Sequence, residues 1–408
     1  EIPSQIEFFK YGKKRRVIFL ARNIPPVGYK TYFLKLAGKK HQYKTDINYT
    51  GYLIENRFYR VRINPESGNI EEIYDKTNKR EVLTPGEEAN VIQLLEDIPE
   101  HYDAWNIQYT GRNWELNKVK NIKLINKGPI KTVIRVEKEF LGGSKARRFP
   151  TEDFPSSFFT QDITLYSNIK RIDCKINMDW WEEHILLKVA FPVNVYSNKA
   201  TYEIPFGHIE RSTKRDTPWE KARFEVSAHY WADLSDESYG VSLLNNCKYG
   251  HDIKDNVIRL TLLRSPLSPD PMADRGKSSA IYSLYPHSGD WKKANTVQKG
   301  YELNYPLLSS FITKSKGNLP LEYSFFSLEP GNLILTTIKK REDDNSFIIR
   351  LYESAGKCSK GKLKFFKEPQ KVMEVDLMEN PVKDIIFSGN IVEFDVGKNE
   401  IKSLRVIF

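Results

Sequence analysis

Three segments of this chain gather side chains suited to a polyhydroxylated ligand. The first runs from Glu96 to Asn106 directly after the apolar run Val91–Leu95, and contains Glu96, Asp97, Glu100, His101, Tyr102, Asp103 and Trp105. Aromatic faces cover the apolar C–H face of a sugar ring, and carboxylates accept its hydroxyl protons. Tyr102, Asp103 and Trp105 are therefore candidate substrate contacts, although acids on loops are also ordinary surface. The second segment is Arg264–Arg275. Prolines at 266, 269 and 271 stiffen a loop that carries Asp270, Asp274 and Arg275. Such a loop can wall a polar binding site, or be a salt-bridged surface loop; the residues alone leave both open. The third runs from Tyr202 to Thr213 and on through Thr217-Pro218-Trp219-Glu220 and His229 to Ser235. Here His208 and Arg211 read as buried structural residues, and Trp219 and Trp231 as core or sheet packing.

Bond-breaking machinery is harder to find. The seven histidines include no pair at HExxH or HxxxH spacing. His101 and Asp103 would share one face of a strand, but nothing completes a ligand set, so no metal site is assigned. GxSxG and GxGxxG are absent, and Gly142-Gly143-Ser144-Lys145 lacks phosphate-loop spacing and reads as a hairpin loop. Cys174, Cys247 and Cys358 are far apart, form no CxxC and suit a reducing, cytoplasmic compartment. No catalytic residue is assigned to these 408 residues.

The elements that must position these segments are strands. Ile172, Cys174, Ile176, Met178 and Trp180 alternate with polar residues, the signature of a half-buried strand. Leu186–Phe191 reads as a more fully buried one. Further candidates are Val17–Ala21, Thr31–Leu36, Phe58–Asn64, Lys131–Phe140, Asp162–Tyr166, Val241–Asn245, Val257–Leu263, Ile334–Lys339 and Phe347–Glu353. Turn residues separate them, as at Pro65–Asn69, Asn126–Pro129, Ser288–Asp290 and Pro330–Asn332. Short strands punctuated this way argue for antiparallel sandwiches. Lys-rich joints at 38–49 and 314–320 divide the chain into a small basic β-unit (1–45), a large β-domain (46–315) and a terminal β-unit (316–408).

With 40% hydrophobic and 12% aromatic residues the chain can bury a large core. No apolar run reaches the roughly 20 residues of a membrane helix, and no secretory leader is visible. The net charge of +10 is concentrated: residues 1–44 hold eleven Lys and Arg against Glu1 and Glu7, a net of +9. That block can be a solvated face, meet an acidic surface on another domain or subunit, or bind a polyanion. No aromatic pattern or helix-turn-helix spacing supports a nucleic-acid partner.

The stretch from about Trp180 to Trp291 resembles the C-terminal β-region of class II α-mannosidases, glycoside hydrolase family 38. The resemblance is carried by Leu187–Pro192, by Ala200–Arg211 with its Tyr-Glu-Ile-Pro-Phe-Gly, by Trp231–Ser235, Lys248–Gly250 and Leu262–Pro266 with Asp270-Pro271. Pro25–Tyr29, Gly68–Ile70, Asp103–Trp105, Lys339–Asp343 and Ile349–Glu353 extend it over nearly the whole chain. It implies an all-β fold: a large antiparallel supersandwich, similar to galactose mutarotases, flanked by smaller β-sandwich units. It also implies a parent enzyme that cleaves α-mannosides with retention, using a zinc ion and an aspartate nucleophile on a barrel N-terminal to this portion. None of those motifs occurs here, and the chain begins at Glu1 rather than Met. The expectation is a fragment or subunit, with no cofactor of its own. Its partners would be mannose-containing glycans and the missing catalytic half, or a second copy of itself. Tyr102, Asp103, Trp105, Asp270, Asp274 and Arg275 would shape the pocket wall. A free-standing carbohydrate-binding module and a sugar-1-epimerase are the competing functions; fold alone does not choose between them.

Overall fold

Ile172, Cys174, Ile176, Met178 and Trp180 line one face of the strand Ile172–Trp180, none more than 2% exposed. The period-2 pattern therefore faces the core as the sequence requires. The computed structural model describes residues 1–8, 15–35, 43–140, 156–313 and 316–408. Lys10, Lys13, Lys14, Lys39, Lys40, His41, the Gly142–Lys145 loop and parts of both expected joints lie outside these residues. The described residues form 33 strands and two helices, and every ladder is antiparallel. The all-β expectation holds.

Two compact units are formed: residues 1–20, 42–203 and 209–306, and residues 21–41, 204–208 and 307–408. In the first, a six-stranded sheet runs in the order Tyr109–Glu115, Val91–Asp97, Ile185–Pro192, Val257–Arg264, Gly250–Lys254, Val226–Ser227. A nine-stranded sheet is centred on Ile172–Trp180, between Ser157–Tyr166 and Gly276–Ser288. A five-stranded sheet spans 48–81. One core takes Leu94, Leu187 and Leu260 from the first sheet, Val136, Ile163 and Tyr282 from the second, and Tyr59, Val61 and Ile73 from the third. Between the sheets, the Tyr282 hydroxyl donates to Asn90 Oδ1 at 2.6 Å and the Gln161 amide donates to the Asn90 carbonyl at 3.0 Å. The turn at 65–69 is built as its residues suggest. Asn64 Oδ1 accepts from the Glu66 amide at 2.8 Å, and Gly68 takes φ +71°, where an added Cβ would lie 2.6 Å from Val136.

The second unit packs a four-stranded sheet against a five-stranded one. Phe326, Leu363, Phe365 and Val392 of the first meet Ile349, Leu351, Val372 and Leu404 of the second. Most expected strands occur with ends shifted by one or two residues. Of the expected strand Thr31–Leu36, residues 31–35 form none and Leu36 lies outside the described residues; the strand is Gly28–Lys30, paired with Glu322–Ser324. Residues 31–35 join no ladder, and Phe33 and Leu34 are exposed. Thr31 still donates its amide to the Leu321 carbonyl at 2.7 Å, just beyond the Lys30–Glu322 pair. The helices Pro218–Ala222 and Thr296–Asn304 were not expected. No helix among the described residues is long and apolar enough to cross a membrane.

Candidate functional site

The six-stranded sheet has a core face and a polar outer face. In Val91–Asp97, Ile92 and Leu94 enter the core while Gln93, Leu95 and Asp97 point the other way; in Ile185–Pro192, Leu187 and Val189 enter the core while Lys188 opposes Gln93 and Thr261. Lys188 is fully buried although it faces away from the core. A cover makes this so: the Phe224 ring lies 5.4 Å from its ammonium and Glu225 Oε2 2.9 Å away. Asp252, 4% exposed, accepts from Lys188 at 3.2 Å and from Arg215 at 2.5 Å, with Arg259 at 3.5 Å. Burial alone would raise the Asp252 carboxyl, but Lys188, Arg259 and Arg215 outweigh it and hold it below the usual range. Burial pushes neighbouring His251 down to about 4. Beside this network is a cavity of about 280 Å³ lined by Gln93, Tyr109, Asn113, Trp114, Phe224 and Arg259.

At one end of the sheet three loops are fastened together. His184, at φ +52°, donates its amide to the Ser265 carbonyl at 2.7 Å and accepts from the Asp97 amide at 2.7 Å; its Nδ1 lies 3.1 Å from the Asp97 carbonyl. The Asp97 carboxylate accepts from the Gln108 amide at 2.7 Å and from Arg264 Nε, and Arg264 also donates to the Asn106 carbonyl. Asp103 Oδ2 accepts from the Leu267 amide at 2.6 Å and the Ser268 amide at 3.2 Å, tying loop 98–108 to loop 265–275. Its Oδ1 is buried, 3.5 Å from His184 Nδ1. Asp274 Oδ2 accepts from the Arg264 amide at 2.9 Å, Arg275 pairs with Glu183, and Asp270 Oδ1 caps the Met272 amide at 2.9 Å.

Tyr102 and Trp105 remain outside this fastening. They are 73% and 72% exposed, and the Tyr102 carbonyl accepts from the Trp105 and Asn106 amides, both at 2.8 Å. A tight turn with Tyr102 at φ +58° thus presents two bare rings. The structure gathers the candidate residues into one loop cluster but divides their tasks. Asp103, Asp274 and Arg275 use polar atoms to hold loops, Asp270 stabilises its own turn, and the rings are free to contact a ligand. Lys188, Asp252, Glu225 and Arg215 were not identified from sequence. The signal for Lys188 was there, a lysine inside the apolar run Ile185–Pro192, because a charge in a buried strand requires partners. Trp231 is buried, but Trp219 is 82% exposed on the short helix, which corrects the packing role expected for it. A helix of five residues with no buried side chain gives that ring nothing to pack on.

One other constellation looks catalytic at first sight. Ser242 Oγ lies 3.1 Å from His287 Nε2, and Asp233 Oδ2 lies 2.8 Å from the same nitrogen. Serine and aspartate thus share one ring nitrogen, while Nδ1 faces the Gly289 carbonyl at 3.0 Å. A general base needs the acid on the opposite nitrogen. All three residues are buried, and Thr296 Oγ1 joins Ser242 at 2.9 Å, so the network anchors the helix Thr296–Asn304 to the sheet. No group of three or more His, Cys, Asp or Glu among the described residues is placed to share a metal ion.

Two family models match the chain: Glycosyl hydrolases family 38 C-terminal domain over residues 54–272, and Glycosyl hydrolases family 38 C-terminal beta sandwich domain over residues 332–404. The chain belongs to glycosyl hydrolase family 38 and corresponds to its C-terminal portion. It is 36% identical over 309 residues to Alpha-mannosidase G of Dictyostelium discoideum, covering 74% of this chain and 27% of that protein. It is 33% identical over 331 residues to Alpha-mannosidase 2C1 of Homo sapiens, covering 80% of this chain and 31% of that protein. The chain thus spans less than a third of the length of these relatives. A crystal structure of a family 38 protein from Enterococcus faecalis superposes with TM-score 0.81 at 15% identity, covering 99% of this chain and 51% of that one, a likeness of fold.

Proposed function

We propose that this chain is the C-terminal β-portion of a retaining, zinc-dependent α-mannosidase of the cytoplasm. In this reading the nucleophile, the acid/base and the zinc ligands reside on polypeptide outside these residues, and no step of bond cleavage is assigned to side chains here. The chain supplies scaffold and a rim for the glycan. The observation that carries the reading is the Tyr102–Trp105 pair, two large rings kept exposed by a loop fastened through Asp97, Asp103 and Arg264. Such rings would stack on mannose C–H faces while Asp270 contacts hydroxyls.

A partner surface accompanies it. Leu308, Phe311 and Ile312 are 99%, 97% and 76% exposed, and an apolar run of this kind favours being covered by another protein surface. The missing catalytic portion is the partner proposed. In full-length enzyme, Trp105→Ala is expected to raise KM for a mannose oligosaccharide about fivefold at little cost in stability, because a ring–sugar contact is worth on the order of 1 kcal/mol. An unchanged KM for both Trp105→Ala and Tyr102→Ala would count against the rim. The exposed rings also favour a second reading, a free-standing carbohydrate-binding module. Calorimetry of the isolated chain against mannose oligosaccharides separates the two: saturable heat without the catalytic portion favours the module.

A further inference from the structure

The cavity of about 280 Å³ on the outer face of the six-stranded sheet has room for about nine waters at roughly 30 Å³ each, enough for one sugar ring. Its groups form one chain of contacts. The Gln93 amide donates to Glu115 Oε1 at 2.7 Å, and Gln93 Oε1 accepts from Arg259 Nε at 2.9 Å. Arg259 reaches Asp252 at 3.5 Å, and Arg215 holds the same carboxylate at 2.5 Å. The strand register sets these groups around a common space. Glu115 opposes Gln93 and Asn113 opposes Leu95, so Glu115 and Asn113 stand about 7 Å apart on one face of their strand. The Asn113 amide donates to the Tyr109 hydroxyl at 3.0 Å, and the Tyr109 and Phe224 rings lie 5.8 Å apart. Phe224 is fixed by the Lys188 ammonium at 5.4 Å and the Arg215 guanidinium at 5.2 Å, and so backs the Tyr109 ring.

The lining also says what kind of ligand it suits. Glu115 and Asp252 are balanced by Arg215, Arg259 and Lys254, so no strong field of one sign calls for an ion. Asn113 Oδ1, the second N–H of the Gln93 amide and the Lys254 ammonium take no partner among the described residues. A ligand that uses them must both donate and accept hydrogen bonds, as hydroxyls do, and offer an apolar face to Tyr109. Gln93, Tyr109 and Arg259 are half-buried while Asn113, Glu115 and Lys254 are exposed, so the cavity opens to solvent on their side. We propose that this cavity binds one neutral hexopyranose unit of a glycan, with its C–H face on Tyr109 and its hydroxyls on Asn113, Gln93 and Glu115. Gln93 lies about 13 Å along its strand from Asp97, which fastens the Tyr102–Trp105 loop, so this is a second sugar contact, separate from that rim. It does not depend on the mannosidase reading.

The test is calorimetric titration of the 408-residue chain in a Trp105→Ala background, which removes the rim, with methyl α-mannopyranoside, methyl β-glucopyranoside and methyl β-galactopyranoside as probes. Saturable binding of at least one is expected, weakened about fivefold by a further Asn113→Ala and by a further Tyr109→Ala, since each removes one hydrogen bond or ring contact. Asn113 is exposed on the edge strand of its sheet, so its variant reads binding without risk to the fold. Urea unfolding followed by tryptophan fluorescence checks that the Tyr109 variant is folded. No saturable heat with any of the three glycosides, or an affinity unchanged in either cavity variant, overturns the site. The rim reading is judged separately, by KM in the full-length enzyme, so either can fail without the other.

Discussion

Asp252→Asn isolates the ion network that lets a lysine lie buried on the outer face of a sheet. The substitution keeps the shape and removes the charge shared by Lys188, Arg215 and Arg259. Lys188, with 0% side-chain exposure, retains only Glu225. Removing one member of a buried ion pair costs about 3–5 kcal/mol, because the remaining charge stays desolvated. For a unit of this size that is a fall in Tm of roughly 10 °C. All seven tryptophans lie in the first unit, so tryptophan fluorescence during urea unfolding reports on that unit selectively. The pH dependence gives a second readout. The folded carboxyl is held below its ordinary value of 3.8, so its contribution is present above that value and is lost as pH falls through the folded one. The wild-type protein should therefore lose more stability on acidification than the variant. A loss below about 1 kcal/mol, the size of a surface ion pair, together with an unchanged acid limb, would refute this account of Lys188.

Two buried groups should impose opposite slopes on the stability profile. Glu203, raised to about 7 chiefly by burial, binds a proton in the folded state that the unfolded state has released, so stability should fall as pH rises from about 4.5 to 7, by on the order of 3 kcal/mol; Glu203→Gln should flatten that limb in urea titrations. Lys138, lowered to about 7 by burial, should make stability rise between about pH 7 and 10.5, where only the unfolded state holds the proton; Lys138→Met should abolish the rise. Ile176→Ala, at a fully buried core position, should cost about 2–5 kcal/mol by the same fluorescence assay, whereas Trp105→Ala should change stability by less than about 0.5 kcal/mol.

Legibility in the sequence followed the physics that fixes each element. Ile172–Trp180 could be read because its burial period is local to ten residues. Helix Pro218–Ala222 carried a readable signal in Thr217-x-x-Glu220, whose side chains make a reciprocal capping box. Helix Thr296–Asn304 carried none: its Asn295 cap makes no side-chain bond, and it is held by Ser242 and by Gly300 fitting against Trp231. The segments 96–106 and 264–275 stand out in the sequence by their acids, aromatic rings and prolines, and the structure joins them through Asp103. That Asp103 would bind the amides of Leu267 and Ser268 could not be read, because the partners lie more than 160 residues away. The ion network was invisible for the same reason, apart from Lys188 itself.

The central claim is that these sheets scaffold and rim a glycan site whose bond-breaking groups lie on other polypeptide. It is tested most directly by assaying the purified 408-residue chain, with zinc supplied, on an aryl α-mannoside. The account predicts release indistinguishable from buffer, and turnover once the N-terminal portion is restored. Zinc-dependent turnover by the chain alone would contradict it.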